Sequence, residues 1–216
     1  MKVVLTILAL LFSVNSFAGM KFSFQSEDIL KMIDVYSKAT GQKFVVDPGV
    51  QGKGTITGAD NVPPEEAFNL LSSVLSTNGY AISKQDDTMV VKAARHIQRD
   101  LIETTTTLPT LKPERIATYI YTFKNIPAES VMREVRILAS RDGEMNVYSR
   151  TNQIIFSDWS SNLHRIDMIL KQLDQPTDPK VAKLIESYQK TAKQTQKPRA
   201  EMKESDSSST PTKEKK

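Results

Sequence analysis

The chain of 216 residues sets 29 Lys and Arg against 25 Asp and Glu, a net charge of +4 with the two signs interleaved, and it has no cysteine. Disulfide staples and thiolate–metal sites are therefore excluded, and bases scattered among acids argue against a nucleic-acid surface. The length suits two small cores better than one large one.

The N-terminus carries a processing pattern. Lys2 is followed by a nearly unbroken apolar run, Val3 to Phe12, and then by Ser16-Phe17-Ala18 with small residues where signal peptidase reads. This predicts a secretory signal over 1–18, cleaved after Ala18, and a periplasmic mature chain. The apolar run is too short to span a bilayer core of roughly 30 Å.

From residue 19 to 94 the order is strand, helix, two strands, helix, two strands. In KFSFQ, Phe22 and Phe24 share one face of a strand. A Ser26-x-x start and a Gly41 stop bracket a helix whose apolar side is Ile29, Ile33 and Tyr36, with Leu30 beside them. KFVV and TITG read as strands around a turn-rich DPGVQGKG. Pro63-Pro64-Glu65-Glu66 opens a second helix, with Ala67, Leu70, Leu71, Val74 and Leu75 at helical spacing and Asn78-Gly79 closing it. YAISK and TMVVKA form a hairpin about Gln85-Asp86-Asp87.

Residues 95–115, threonine-rich and broken by Pro109 and Pro113, read as a linker. A second unit follows over 116–175. It comprises strand ATYIYTF, then a helix PAESVMREVRILAS burying Val131, Met132, Val135 and Leu138. The hairpin EMNVYS/NQIIFS turns at Arg150-Thr151-Asn152, and a last helix buries Leu163, Ile166, Ile169, Leu170 and Leu173. This predicts a three-stranded sheet with helices on one face. Over 176–194, Val181, Leu184, Ile185 and Tyr188 make the apolar stripe of a further helix, docked on the domain or on a partner. The tail 195–216 lacks hydrophobes and is expected to be disordered. The fold class is thus α+β, two small αβ domains in tandem, each with helices on small sheets, plus a disordered tail.

No chemistry emerges. His96 and His164 have no catalytic neighbours in sequence. Glu65-Glu66 and Asp86-Asp87 suit a helix start and a hairpin turn, and Trp159 is expected to pack on its own domain. There is no nucleophile elbow, zinc-binding helix or phosphate loop. No catalytic residue, metal site or cofactor is assigned, and the expectation is a protein-binding role without enzymatic activity.

Two sets of residues carry a resemblance. Gly41, Phe44, Val45, Asp47, Pro48, Val50 and Gly52, then Glu66, Ala67, Gly79 and Tyr80, are similar to the opening pattern of secretin N-domains. Thr151, Asn152, Ile154, Ile155, Ser157, Asp158, Asn162, Arg165, Ile166, Leu173 and Asp174 are similar to the pattern of the second such domain. The resemblance implies two periplasmic N-domains of the outer-membrane rings of type II secretion and type IV pili. A secretin continues into a glycine-rich barrel. With 8 glycines and a polar tail, this chain is expected to be an adaptor or assembly component, not a pore.

The partners implied are a secretin or inner-membrane platform components, with a homo-oligomer and peripheral association with an outer-membrane complex as further expectations. By the same resemblance Lys21, Phe22, Ser23, Phe24 and Gln25 are the candidate partner-facing edge; the residues themselves leave an internal strand equally open. An alternative is a sensing module, because the first domain also resembles the N-terminal domain of TonB-dependent transducers. A remnant of a truncated secretin is a third.

Overall fold

A computed structural model describes residues 19–100, 102–176, 178–188 and 190–191. The expected signal, 1–18, and the expected tail, 195–216, lie outside the described residues.

The first module places two helices between two small sheets. Strand β1 (Phe24–Asp28) leads into helix α1 (Ile29–Thr40). The cap of α1 is Asp28, whose carboxylate accepts the Leu30 N–H at 2.8 Å, and not Ser26 as expected. Ser26 instead takes a left-handed backbone, φ 51°, at a bulge in β1 and donates its N–H to Thr55 Oγ1. Gly41 closes α1 at φ 74°, where a Cβ would be strained. The buried face is Ile29, Met32, Ile33 and Tyr36; Leu30, expected beside them, is exposed.

Strands β2 (Lys43–Val46) and β3 (Lys53–Ile56) follow, then helix α2 (Pro64–Thr77) with proline and acids in its first turn. The hairpin β4 (Tyr80–Gln85) and β5 (Thr88–Ala93) turns on Asp86 and Asp87, with Asp86 at φ 51°. β1 and β3 pair antiparallel in a two-stranded sheet, while β2, β5 and β4 form a three-stranded sheet in that order. The core between them holds Phe22, Ile29, Met32, Leu71, Leu75 and Val91. Deeply buried side chains of this size contribute roughly 1.5–3 kcal/mol each.

The stretch 95–115 is more ordered than a loose connection. It contains most of the short helix α3 (Ala94–Ile97) and strand β6 (Thr104–Thr105), which runs parallel to β7 (Ile116–Thr122). Arg115 fastens the stretch by donating to Glu103 at 2.7 Å and to the Thr110 and Pro113 carbonyls. His164 donates its Nε2–H to the Pro109 carbonyl at 2.7 Å, because that oxygen can only accept.

In the second module β8 (Glu144–Tyr148) and β9 (Gln153–Trp159) precede helix α5 (Ser160–Leu173). The sheet has four strands, β6-β7-β9-β8, where three were expected. The predicted helix over 127–140 shrinks to a 3-10 turn, Ala128–Val131, and one turn of α-helix, α4 (Met132–Arg136). Val135 is buried, Ala128 fills the core from the 3-10 turn, Met132 is exposed and Ile137 is 82% exposed. Pro127 starts the 3-10 turn, and hydrogen bonds to Leu138 and Ser140 hold the far end in non-helical geometry.

A third apolar cluster joins the modules. Ala81 of β4, Ala94 and Ile97 of α3, Ile116 of β7 and Trp159 of β9 are buried together, with Ile102 against them. Trp159 thus packs at the junction and not within its own module alone. Residues 19–173 belong to one compact unit; a second begins at Asp174, where 179–188 and 190–191 are helical and Val181, Leu184, Ile185 and Tyr188 are exposed. Among the described residues no helix is long and apolar enough to cross a membrane.

Candidate interaction surface

The segment 20–25 runs along 56–62 and spends one side of its main chain there. Met20 and Val62 exchange N–H···O bonds of 2.8 and 3.0 Å, and the Phe22 N–H donates to Ala59 O at 2.7 Å. Strand alternation then turns the N–H and C=O of Lys21 and Ser23 to the opposite side, where among the described residues no strand pairs with them. This is an open edge.

Its side chains divide sharply. Phe22 is fully buried and packs edge-on against Phe24 and Tyr36 at centroid distances of 5.0 and 6.1 Å. Its ring is unavailable to a partner. Phe24 is half-buried, and Ser23 accepts the Ala59 N–H on its hydroxyl at 3.1 Å. Lys21 and Gln25 are exposed, Lys21 lying 3.9 Å from Asp60. The five residues therefore offer a main-chain ladder flanked by polar side chains, anchored from behind by Phe22. Farther along β1, the Lys31 ammonium at 2.7 Å, aided by the Asp28 N–H, holds the Glu27 carboxyl below the usual carboxylate range.

The residues that carried the sequence resemblance do other work. In the first module Asp47 accepts the Gly49 N–H, and the Tyr80 hydroxyl bridges Gly49 O and the Gln51 N–H, so the DPGVQG turn is stitched to β4. In the second, Asn152 sits at φ 55° and reaches into the excursion that carries α4. Its Oδ1 accepts the Ala128 N–H at 2.7 Å, and its Nδ2 donates to Phe123 O and Ile126 O at 3.0 Å each.

Asp158, fully buried, holds the other end of that excursion. Its carboxylate accepts from the N–H groups of Ser140 and Trp159 and from Asn162 Nδ2, each at 2.7 Å. Asn162 and Arg165 both donate to Leu138 O. Gly143 is required beside it, since a Cβ there would lie 2.2 Å from the Asp158 carboxylate. Deeper in the core Tyr119 donates to Asp167 at 2.8 Å, and Lys171 balances that carboxylate at 2.7 Å. Burial, reinforced by this hydrogen bond, pushes the Tyr119 phenol well above its ordinary value.

None of these groups forms a reactive constellation, and among the described residues no three acidic or histidine side chains are placed to hold a metal ion. The family model described as "GspD-like, N0 domain" matches residues 22–91, and that of the "Bacterial type II/III secretion system short domain" matches 118–178.

Among curated relatives, secretin XcpQ of Pseudomonas aeruginosa is 30% identical over 148 residues, covering 68% of this chain and 22% of XcpQ. Secretin GspD of Vibrio cholerae is 23% identical over 167 residues, covering 74% of this chain and 24% of GspD. The chain spans under a quarter of the length of these two relatives. Of solved structures, the Klebsiella pneumoniae type II secretion outer membrane complex of PulD, PulS and the PulC HR domain superposes with a TM-score of 0.63. It is 21% identical and covers 71% of this chain and 26% of that one, which speaks for the fold. With both modules matched in order, over more than half of its residues, the chain belongs to the secretin family, whose N-terminal domains it carries.

Proposed function

We propose that the chain is a periplasmic docking component of a type II secretion or type IV pilus apparatus, with the open edge at Lys21–Gln25 receiving an inner-membrane component. The observation that carries this reading is the unpaired main chain of Lys21 and Ser23 on an N0-type module. Strand addition at such an edge gives affinity through the backbone and specificity through flanking side chains. The PulC HR domain held in the Klebsiella complex supports a partner of that kind.

Export through residues 1–18 brings the chain to the periplasm, where it associates with an outer-membrane complex and with further copies of itself. Its role is to bind: the described strands, at most seven residues long, sit in three small sheets whose edges are open to pairing. It is not an enzyme.

The test is capture of the tagged mature protein from envelope extracts of cells that make it. A secretin or an inner-membrane platform protein should be recovered. The Lys21→Pro variant, which removes one outward N–H and spares every inward bond, should lose that partner while remaining folded. Recovery of neither component with the unmodified protein would sink the proposal.

A further inference from the structure

A cleft of about 530 Å³ opens where the two modules meet, lined mainly by charged side chains. Arg95 and Arg99, flanking Gln98, reach it from α3 and the turn after it, while Arg141, Asp142 and Glu144 approach from the second module. Asp142 lies at the centre, its side chain only 13% exposed. Arg95 Nε is 3.7 Å and Arg141 Nε 3.6 Å from the same Asp142 oxygen, while both arginine side chains stay largely exposed. At those separations Asp142 orients the two guanidinium groups without using up their donors. Arg99 is exposed and has no ion pair among the described residues. Three guanidinium forks therefore converge on one concavity around one partly buried carboxylate.

We propose that this cleft binds an extended acidic segment of a partner protein, with carboxylates placed on either side of Asp142. Guanidinium forks match carboxylates in paired hydrogen bonds. The partly buried Asp142 and the neighbouring Glu144 disfavour a compact, multiply charged phosphate and favour single negative charges set apart. An extended chain supplies that spacing, since side chains two residues apart on one face lie about 7 Å from each other. The cleft also opens at Glu144 onto β8, whose outer edge pairs with no other strand among the described residues, so an extended segment leaving the cleft has a ladder to join. A concave junction, moreover, is poorly shaped for a lipid surface. This site lies outside Lys21–Gln25, and its failure would leave the docking edge on β1 untouched.

The probe is a fluorescein-labelled decapeptide alternating glutamate and serine, titrated with the full mature chain and followed by fluorescence anisotropy. Saturable binding is expected, weakening steeply as salt is raised. Arg99→Glu with Arg141→Glu should lower affinity at least tenfold. A control with the same charge change elsewhere, Lys43→Glu with Lys84→Glu, should leave it within twofold. Arg99→Gln, which disturbs no contact, should cost about threefold to fivefold, the size of one exposed ion pair. Equal weakening by the control pair would overturn the proposal, reducing it to general charge attraction. So would binding to phosphatidylglycerol vesicles, or displacement of the peptide by millimolar inorganic phosphate, that exceeds what the peptide itself achieves.

Discussion

At the scale of single residues, Asn152 and Asp158 hold the two ends of the excursion between Phe123 and Ser140. Asn152 combines three side-chain hydrogen bonds with a left-handed backbone. Asn152→Gly keeps the backbone at ease and loses the bonds, while Asn152→Ala loses both. We expect losses of about 2 and about 3 kcal/mol respectively in urea unfolding; equal losses would mean that the backbone conformation contributes nothing. Asp158→Asn turns an acceptor oxygen into a donor among three N–H donors, and should cost about 2–4 kcal/mol by the same measurement. Tyr119 provides a pH effect. Its ordinary value is 10.0 and the folded protein raises it, so above that pH the unfolded chain releases the proton first and stability falls as pH rises. Tyr119→Phe should flatten this alkaline decline relative to the unmodified protein, measured as unfolding midpoints between pH 9 and pH 11. An unchanged slope would argue against the buried pair.

At the scale of elements, legibility in the sequence tracked periodicity. Helix α2 and the hairpin β4–β5 were read nearly to the residue, because apolar spacing, proline, Asn78-Gly79 and Asp86-Asp87 all spoke for the same boundaries. The segment 127–140 misled. Val131, Val135 and Leu138 have helical spacing, but the carbonyl of Leu138 and the N–H of Ser140 are taken by Asn162, Arg165 and Asp158, residues remote in sequence. β6 was invisible because two threonines carry no pattern; a neighbouring strand defines them. For the candidate edge at Lys21–Gln25, the side of the main chain that is paired is set by Ala59 and Val62, which alternation alone does not reveal. The residues of the family pattern were legible as a pattern, not as clamps.

At the scale of the whole molecule, the apolar cluster of Ala81, Ala94, Ile97, Ile116 and Trp159 joins the two modules within the compact unit that ends at Leu173. A single thermal unfolding transition is expected for the mature protein. Truncating buried Ile97 costs about 2–5 kcal/mol in general, but here the loss falls on the coupling between modules. Ile97→Ala combined with Trp159→Ala should therefore split the transition in two by calorimetry, and one unshifted transition would refute the coupling.

The grip on the excursion between Phe123 and Ser140 has a further consequence. Every atom seized there by Asn152, Asp158, Asn162 and Arg165 belongs to the main chain: the carbonyls of Phe123, Ile126 and Leu138 and the N–H groups of Ala128 and Ser140. A clasp that reads only backbone is indifferent to the lettering of what it clasps. Apart from the inward residues Phe123, Ala128 and Val135, and Ile126, Val131, Leu138 and Ala139 packed beside them, the exposed positions of the stretch can change without loosening the frame. The module is in this sense a display cassette, whose frame holds the loop by its main chain while exposed side chains supply the text.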